Sequence, residues 1–259
     1  MIKQINAVLA IAQRDFMELL RDPARLVSSL IFPLIFIVVL GGSLQASFGD
    51  ADFNLLTFTF TGVLAQTLFQ SSAQGVISVI ADREKDFSQE IFVTPISRYS
   101  IILGKALGET LVALPQGLAL VLLGFILGVG MTLTRAIALF PVALVACMLG
   151  AAFGVLVLSN LKSQRSANQV FPFVLLPQFF LAGVFNPIND LPPALAFFST
   201  LAPMRYAVDL MRATYYSGRE EYSRVVLANP ATNLLIVGVM FLVFLVVGTA
   251  LFVRKERNR

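Results

Sequence analysis

The fold is decided by the last long apolar run, residues 231–253, which read ATNLLIVGVMFLVFLVVGTALFV. The run contains no charged residue, and Arg254 and Lys255 follow it directly. A helix needs about 20 mostly apolar residues to cross the hydrocarbon core of a bilayer, which is ~30 Å thick. The run therefore predicts a membrane-spanning helix that ends at a basic interface.

Five further apolar runs precede this one, at residues 26–44, 55–81, 106–131, 136–161 and 170–186. Hydrophobic residues make up 57% of the 259-residue chain, and charged residues only 13%. Soluble domains usually carry roughly 25% charged residues. We therefore predict an all-α polytopic membrane protein with six transmembrane helices.

The basic residues predict the orientation of these spans. Fourteen of the nineteen Lys and Arg residues lie in the N-terminal segment, in the loops after the second and fourth spans, and in the C-terminal tail. Cytoplasmic segments carry the excess of Lys and Arg, so both termini are predicted to be cytoplasmic. The other five basic residues are Arg135, Arg205, Arg212, Arg219 and Arg224.

Composition excludes several kinds of chemistry. The chain has no His and one Cys, Cys147, so His-dependent catalysis and most transition-metal sites are excluded. Cys147 lies in apolar sequence and is predicted to be a small buried hydrophobic residue. No Gly-x-x-x-x-Gly-Lys-[Ser/Thr] phosphate loop occurs. We expect no catalytic residue, no metal and no cofactor in this chain.

Two segments outside the spans are amphipathic. Residues 1–25 have apolar side chains at helical spacing and charges on the remaining faces, which predicts an interface helix lying on the membrane surface. It either anchors the chain or also contacts a cytoplasmic partner. The loop 82–105 is dense in charge and predicts a short helix that ends at Thr94-Pro95. That helix is either solvated or covered by a partner protein on its apolar edge.

The segment 187–230 interrupts the pattern of spans. Residues 194–201 form an apolar piece that is too short to cross a bilayer, between Pro192-Pro193 and Pro203. Such a piece predicts a re-entrant or interfacial hairpin between the fifth and sixth spans, with an ordinary outer loop as the alternative. The stretch from Tyr206 to Arg212 predicts an amphipathic helix along the outer surface.

Few polar residues fall within the spans. Glu109 is the one carboxylate there, and Lys105, four residues earlier, is predicted to pair with it. Five glutamines add hydrogen-bonding capacity without charge: Gln66, Gln70, Gln74, Gln116 and Gln178. The glycine pairs Gly124/Gly128 and Gly150/Gly154 predict close helix contacts within the subunit.

Several motifs in a fixed order resemble the membrane subunit of ABC-2 type exporters. They are Arg14-Asp15, Arg21-Asp22-Pro23, Phe32-Pro33, Asp82-Arg83-Glu84-Lys85, Val93-Thr94-Pro95, the block 180–187 (FLAGVFNP), Leu191-Pro192-Pro193 and the block 202–209 (APMRYAVD). The similarity covers nearly the whole chain. It is greatest to permeases of the drug and lipo-oligosaccharide export branch.

The resemblance implies one ABC-2 transmembrane domain over residues 1–259 in the bacterial cytoplasmic (inner) membrane. It implies a homodimer, or a dimer with a homologous permease, and two copies of a separate ABC ATP-binding subunit that holds ATP and Mg. Membrane lipids are further partners, and no nucleic acid is expected.

The resemblance also implies roles for individual residues. Contacts with the ATPase fall to Asp82, Arg83, Glu84, Lys85, Asp86, Phe87 and Glu90. The interface helix contributes Arg14, Asp15, Phe16 and Arg21. The re-entrant segment and pathway include Phe180, Gly183, Phe185, Pro187, Leu191, Pro192 and Pro193.

The function expected from these features is export of an amphipathic or lipid-like substrate, such as a drug, a lipid or a lipid-linked saccharide. The principal alternative is an ion-coupled secondary transporter or flippase that works without an ATPase, for which Glu109 is the one candidate protonatable centre. A membrane enzyme acting on lipids and a non-transporting assembly subunit are two further alternatives.

Overall fold

A computed structural model describes residues 2–47, 53–84, 97–161 and 163–257, and these ranges contain helices and no β-strand. In chain order the helices are α1 (Ile2–Arg21), α2 (Pro23–Ile35), α3 (Gly42–Ser47), α4 (Leu55–Gly75), α5 (Ser78–Glu84), α6 (Arg98–Ile126), α7 (Leu133–Leu158), α8 (Gln164–Leu181), α9 (Pro193–Leu201), α10 (Pro203–Tyr215), α11 (Tyr222–Val225) and α12 (Pro230–Arg257). A π-helical segment, Phe36–Gly41, joins α2 to α3.

Five helical segments of the described chain are long and apolar enough to cross a bilayer: Leu26–Ser47, Leu55–Asp82, Tyr99–Ile126, Leu133–Leu158 and Tyr222–Lys255. They correspond to the first four and the sixth of the predicted spans. The predicted all-helical membrane architecture is thus confirmed, with five such segments.

The predicted fifth span, 170–186, overlaps α8, which both begins and ends earlier than expected, since its last residue is Leu181. Ser163 caps this helix by accepting a hydrogen bond from the backbone N–H of Ser166 at 3.1 Å, so the helix includes a polar first part that starts at Gln164. Because of that polar part, α8 is not among the five long apolar segments. The sixth crossing stays a prediction.

The bundle has two ends. The near end is where α1 meets α5 and α6, as shown by the ion pair between Arg14 and Asp82, and where Lys255 of α12 donates to the carbonyl of Ser159 after α7. The far end holds the turn between α6 and α7 and the residues that follow α8. The helices α4, α6, α7 and α12 connect these two ends.

Helix α4 lies at the centre of the bundle and packs against α6, α7 and α10. Its contact with α7 is made backbone to backbone. A Cβ atom added at Gly150 would lie 2.2 Å from the carbonyl oxygen of Phe69, and one at Gly154 would lie 2.4 Å from that of Ala73. This glycine pair therefore brings two helices together within the subunit, as predicted.

The other glycine pair does so only at Gly124, where an added Cβ would lie 2.7 Å from the ring of Phe60 on α4. The prediction was wrong for Gly128. Gly128 lies beyond the end of α6, has φ of +66°, and has open space where a Cβ would be. The residue serves a turn that requires a left-handed backbone conformation, for which glycine carries no steric penalty. Spacing alone could not distinguish this turn from a helix contact.

Helix α10 corrects a second expectation. It is not an amphipathic helix on the outer surface, because it packs against α4, α7 and α12 and buries most of its residues. The buried set includes charged and apolar side chains: Pro203, Met204, Ala207, Val208, Asp209, Leu210, Met211, Arg212, Ala213 and Tyr215. Helix α10 is part of the core at the far end of the bundle.

Candidate coupling site and polar groove

Helix α1 packs lengthwise against the near half of α6, and the two helices run in the same direction. Gln4 accepts hydrogen bonds from the backbone of Ser97 at 3.1 Å and from the hydroxyl of Ser100 at 2.6 Å. One turn further, a Cβ at Gly104 would lie 3.1 Å from the carbonyl oxygen of Val8. The predicted interface helix is confirmed as a helix, but it packs on α6 and does not lie alone on the membrane surface.

Four charged side chains meet where α1, α5 and α6 come together. Lys105 Nζ lies 3.0 Å from Asp15 Oδ1 and 2.8 Å from Asp82 Oδ2. Arg14 Nη2 lies 2.6 Å from Asp82 Oδ2 and 3.2 Å from Asp15 Oδ1. The side chains of Lys105 and Asp15 are only 4% and 5% exposed. We call these four residues the ion network.

The ion network balances two positive against two negative charges, with Lys105 and Asp15 buried and Arg14 and Asp82 partly exposed. Such a group is held together only if each charge keeps its partner, because an unpaired buried charge is strongly destabilising. Burial disfavours the charged form of Arg14, but Asp82 and Asp15 outweigh this effect and raise the pKa of Arg14 above its ordinary value. Arg14 therefore keeps its charge at neutral pH.

A hydroxyl group extends the network to Glu109. Lys105 donates to Ser78 Oγ at 3.2 Å, and Ser78 donates to Glu109 Oε1 at 3.0 Å. The predicted direct pair between Lys105 and Glu109 is replaced by this bridge, because Asp15 and Asp82 take the ammonium group. Gly75 allows the approach of Glu109, since a Cβ there would overlap its carboxylate.

A two-residue break after Gly75 separates α4 from α5. Helix α4 ends at Gly75, and α5 begins at Ser78 after a two-residue turn. The short helix α5 packs against α8 and holds Asp82 in the ion network. A displacement of α5 would therefore act directly on α1 and α6.

The residues predicted to contact the ATPase divide into two groups. Asp82 lies in the ion network with its side chain 28% exposed, and Arg83 and Glu84 lie in α5, where their side chains are not described. Lys85, Asp86, Phe87 and Glu90 lie outside the described residues. Among the predicted interface residues, Asp15 is buried, Arg14 and Phe16 are partly exposed and Arg21 is exposed.

A polar groove lies between α2, α4 and α6. It has a volume of about 350 Å³ and is lined by Ser29, Phe32, Pro33, Gln66, Thr67, Gln70, Ser71, Gln74, Gly75, Glu109 and Gln116. Four of the five glutamines noted in the sequence thus share one surface. Gln66, Gln70 and Gln74 recur at intervals of four, which places them on one face of α4.

Aromatic rings continue from this groove toward the far end. Phe32, which lines the groove, lies 4.3 Å from Phe36 between ring centres, and Phe36 stacks on Phe185 at 5.0 Å. Phe180 meets Phe185 edge to face at 6.4 Å. The structure thus brings two residues of the predicted pathway, Phe180 and Phe185, next to the π-helical part of the first span.

Gly183 ends α8 in a recognisable cap. Its N–H binds the carbonyl of Phe180, and the N–H of Val184 binds that of Phe179, both at 3.1 Å, which is the Schellman arrangement. Gly183 has φ of +67°, so glycine is required here for the backbone turn. After this cap, Ser199 of α9 donates to the carbonyl of Leu181 at 2.6 Å, which holds α9 against the end of α8.

The remaining predicted pathway residues do not join the aromatic rings. Pro187, Pro192 and Pro193 are exposed, and Leu191 is half-buried. Pro193 is the first residue of α9, a position where the missing N–H carries no penalty.

Comparison with known proteins decides the family. The ABC-2 type transporter family matches residues 6–216. The chain belongs to the ABC-2 type transporter family. It is therefore a transmembrane permease subunit of the kind that ABC transporters contain, and an integral membrane protein.

Individual relatives agree with this assignment. A protein named as a transport permease, ycf38, from Cyanophora paradoxa is 26% identical over 216 residues, which cover 82% of this chain and 74% of that protein. Its counterpart from Porphyra purpurea is 28% identical over 220 residues, with the same coverage of 82% and 74%. YbhR of Escherichia coli, named as a multidrug ABC transporter permease, is 28% identical over 141 residues, or 54% of this chain and 38% of that protein.

The permease also has a buried polar cluster at the far end that sequence reasoning missed. Arg212 of α10 is 1% exposed and donates to the carbonyl oxygens of Gly183 at 2.7 Å and Val184 at 3.2 Å. Its guanidinium carbon lies 3.5 Å from the ring centre of Phe58. Burial lowers the pKa of Arg212 to about 10, so it remains charged at neutral pH.

Asp209, one turn earlier on α10, fixes the start of the last span. Its carboxylate accepts hydrogen bonds from the backbone of Leu227 at 2.8 Å and Ala228 at 3.0 Å, and from the amide of Asn233 at 2.6 Å. Asp209 and Arg212 therefore tie the connections on both sides of α10 to one helix. The sequence did contain a signal for this cluster, because Asp209 and Arg212 are two opposite charges three residues apart on one helix. Amphipathic periodicity alone led to the prediction that both side chains face solvent.

Replacing Arg212 with Lys is expected to lower the free energy of unfolding by about 1–2 kcal/mol, because an ammonium keeps the charge but loses the contact of the planar guanidinium with Phe58. The unfolding transition is measured by heating the detergent-solubilised protein with a thiol-reactive fluorophore. Cys147 is the single cysteine and is fully buried, so it reacts only when the protein unfolds. Arg224→Lys, at an exposed position, is the control. Equal transition temperatures for the two variants would contradict the assignment.

Proposed function

We propose that this chain is the membrane subunit of an ABC exporter that moves an amphipathic substrate and takes its energy from a separate ATP-binding subunit. The observation that carries the proposal is the ion network, which ties α1, α5 and α6 together at the near end. The chain lacks a phosphate loop, and the charged loop that follows α5 is the segment expected to meet the ATPase. A force applied to that loop would reach the network through Asp82.

The proposed mechanism uses α5 as the moving part. ATP binding would close two ATPase subunits and displace the loop that joins α5 to α6. The break between Gly75 and Ser78 lets α5 shift relative to α4, and the ion network passes the shift to α1 and α6. Because Ser78 also binds Glu109, which lines the polar groove, the same movement would change the groove.

The proposed pathway begins in the polar groove and continues along the aromatic rings. Amide and hydroxyl groups of α4 would bind the polar part of a substrate, and Phe32, Phe36 and Phe185 would contact its apolar part. A drug, a lipid or a lipid-linked saccharide has both parts. The Escherichia coli relative YbhR is named as a multidrug ABC transporter permease, which supports a drug-like cargo.

Further parts of the proposal concern the assembly and the topology. The first span exposes Val27, Ile31 and Leu34 on one face, and we propose that a second copy, or a homologous permease, packs against it. Helix α8 contacts α5 at the near end, and Gly183, two residues after its last residue, accepts a hydrogen bond from Arg212 at the far end, which supports a sixth crossing. We propose that α9 is a re-entrant hairpin and that both termini lie in the cytoplasm, with the protein in a bacterial inner membrane; the excess of Lys and Arg in the predicted cytoplasmic segments supports this orientation.

The double substitution Glu84→Ala and Phe87→Ala tests the assigned coupling segment. We expect substrate-stimulated ATP hydrolysis by the reconstituted complex to fall about tenfold, because the loss of one interface anchor is worth at least ~1.4 kcal/mol. The paired substitution Glu220→Ala and Phe173→Ala, at exposed positions outside the coupling segment and the proposed pathway, is the control. Unchanged coupling in the first variant would refute the contact.

The double substitution Gln70→Leu and Gln74→Leu tests the polar groove. We expect transport to decrease about 30-fold, because each of the two lost hydrogen bonds to a substrate is worth about 1 kcal/mol. Thermal stability should be retained, because both side chains are half-exposed. The measurement is ATP-driven transport of ethidium, as a cationic amphipathic probe, in proteoliposomes. Gln169→Leu, at an exposed position on α8, is the control, and an equal effect at both sites would rule the groove out.

A further inference from the structure

The far end of the bundle holds a charged cavity that the proposed export function does not use. Its volume is about 560 Å³, and its lining consists of Arg135, Gly218, Arg219, Glu220, Glu221 and Arg224. Three of the five basic residues that fall outside the predicted cytoplasmic segments thus meet here. The three guanidinium groups give the cavity donors for a negatively charged group, and Glu220 and Glu221 add acceptors beside them.

Two of these arginines are held in place by the protein. The guanidinium carbons of Arg135 and Arg219 lie 5.8 Å and 4.9 Å from the ring centre of Tyr215, within the range of a cation–π interaction. Both also donate to the carbonyl of Gly130, at 2.5 Å and 3.2 Å. A guanidinium has five N–H donors, so this bond leaves donors on each arginine for a phosphate group.

The turn that presents this carbonyl requires glycine. Gly130 has φ of +76°, and a Cβ there would lie 2.6 Å from Nη2 of Arg219. The hydroxyl of Tyr215 donates to the carbonyl of Val129, which fixes the ring against the same turn. The two guanidinium groups are therefore positioned before any ligand binds.

An apolar groove leads from this end of the bundle toward its middle, between α6 and α7. It has a volume of about 360 Å³, and its lining includes Leu111, Leu118, Val121, Ala136, Phe140 and Ala143. From Val121 to Leu111 the groove extends about 15 Å along α6 at 1.5 Å per residue. This length is that of one leaflet, half of the ~30 Å hydrocarbon core.

The charged cavity and the apolar groove belong to the same helix faces. Arg135 of the charged cavity lies one turn before Leu139 on α7. Tyr215, which contacts Arg135 and Arg219, lies one turn after Met211 on α10. Leu139 and Met211 both line the groove. Residues four apart share a helix face. Leu118 and Phe140, at the edge of the groove, are 61% and 56% exposed, so the groove opens to the surrounding bilayer.

The two glutamates of the cavity restrict the headgroup. Glu220 is exposed and Glu221 is half-exposed, and both would repel a headgroup that carries only negative charge. A primary ammonium would instead donate hydrogen bonds to these carboxylates, whereas a quaternary ammonium has no N–H to donate. The cavity therefore matches a headgroup that carries a phosphate and a primary ammonium together.

We propose that this face binds one molecule of a phosphatidylethanolamine-type lipid. The phosphate lies against Arg135 and Arg219, the ammonium lies toward Glu220 and Glu221, and one acyl chain occupies the apolar groove. This is a resident lipid that fills the surface between α6 and α7, separate from the polar groove. The inference holds whether or not the proposed export function is correct.

Native mass spectrometry of the full chain tests the proposal with three lipids that share the same acyl chains, namely phosphatidylethanolamine, phosphatidylcholine and phosphatidylglycerol. We expect one phosphatidylethanolamine per chain, retained at least about tenfold more tightly than either other lipid, which corresponds to one charge-assisted hydrogen bond. Equal retention of the three lipids, or tighter retention of phosphatidylglycerol, overturns the proposal.

Variants separate the parts of the site. Glu220→Gln with Glu221→Gln should abolish the preference over phosphatidylcholine, and these partly or fully exposed side chains leave folding intact. Arg135→Gln with Arg219→Gln should weaken the binding of all three lipids. Ala143→Phe should also weaken the binding of all three, because the larger side chain fills the groove. Arg205→Gln, outside the cavity, should change nothing. Retention of the preference in the glutamate variant overturns the proposal even where the arginine variant fails to fold.

Discussion

Replacing Lys105 with Met is expected to lower the free energy of unfolding by about 3–5 kcal/mol, the usual effect of removing one partner of a buried ion pair. The ammonium of Lys105 touches both Asp15 and Asp82. Without it, Arg14 alone would face two carboxylates, one of them almost fully buried. The methionine fills the same volume, so the effect reports the charge.

The exposure of Cys147 to a thiol-reactive fluorophore during heating measures this loss. Lys255→Met is the matched control, since Lys255 is exposed and makes one hydrogen bond, to the carbonyl of Ser159, so its removal should lower the free energy of unfolding by no more than about 1 kcal/mol. The double variant Lys105→Met with Asp15→Asn restores the balance of charge and should recover part of the stability. If Lys105→Met and Lys255→Met lowered the free energy of unfolding equally, the ion network would not stabilise the near end.

Replacing Gly150 with Val is expected to lower the free energy of unfolding by about 3 kcal/mol, at the upper end of the usual range for overpacking. A single Cβ would already lie 2.2 Å from the carbonyl oxygen of Phe69. The opposing atoms belong to the backbone of α4 and cannot rotate away. Helices α4 and α7 would have to separate, and α10 packs against both.

Gly238→Val is the control for this prediction, because Gly238 is on an exposed face of α12 with nothing within 4 Å of an added Cβ. It should leave the stability unchanged or raise it, since glycine inside a helix is unfavourable by about 0.5–1 kcal/mol relative to alanine. The same thermal measurement on Cys147 applies to both variants. Equal losses would show that the effect comes from the β-branched side chain and not from the contact between α4 and α7.

The membrane segments could be predicted because the apolar character of each one is contained in a single continuous stretch of sequence. The charge-free run 231–253 lies wholly within α12, and four further spans fall on α2–α3, α4–α5, α6 and α7. The ends of these helices moved by several residues, since caps such as Ser97 and Ser163 extend helices into polar sequence. The buried state of Cys147 was likewise predicted correctly.

Pairings between distant segments could not be predicted. Lys105 and Glu109 are four residues apart and read as a local pair, yet Asp15 and Asp82 reach Lys105 from two other helices. Arg212 reads as a solvent-facing charge until its contacts with Gly183 and Val184 place it in the core. In both cases the deciding partner lies many residues away, beyond the reach of helical periodicity.

The central claim is that the energy source of this permease lies on another chain, and ATP hydrolysis by the complex purified from its native membrane in mild detergent tests it most directly. We predict that an ABC ATP-binding subunit copurifies in equal molar amount, and that hydrolysis stops when the phosphate-loop lysine of that subunit is replaced. A purified permease without such a subunit, able to move ethidium with a proton gradient alone, would contradict the claim and favour ion-coupled transport through Glu109.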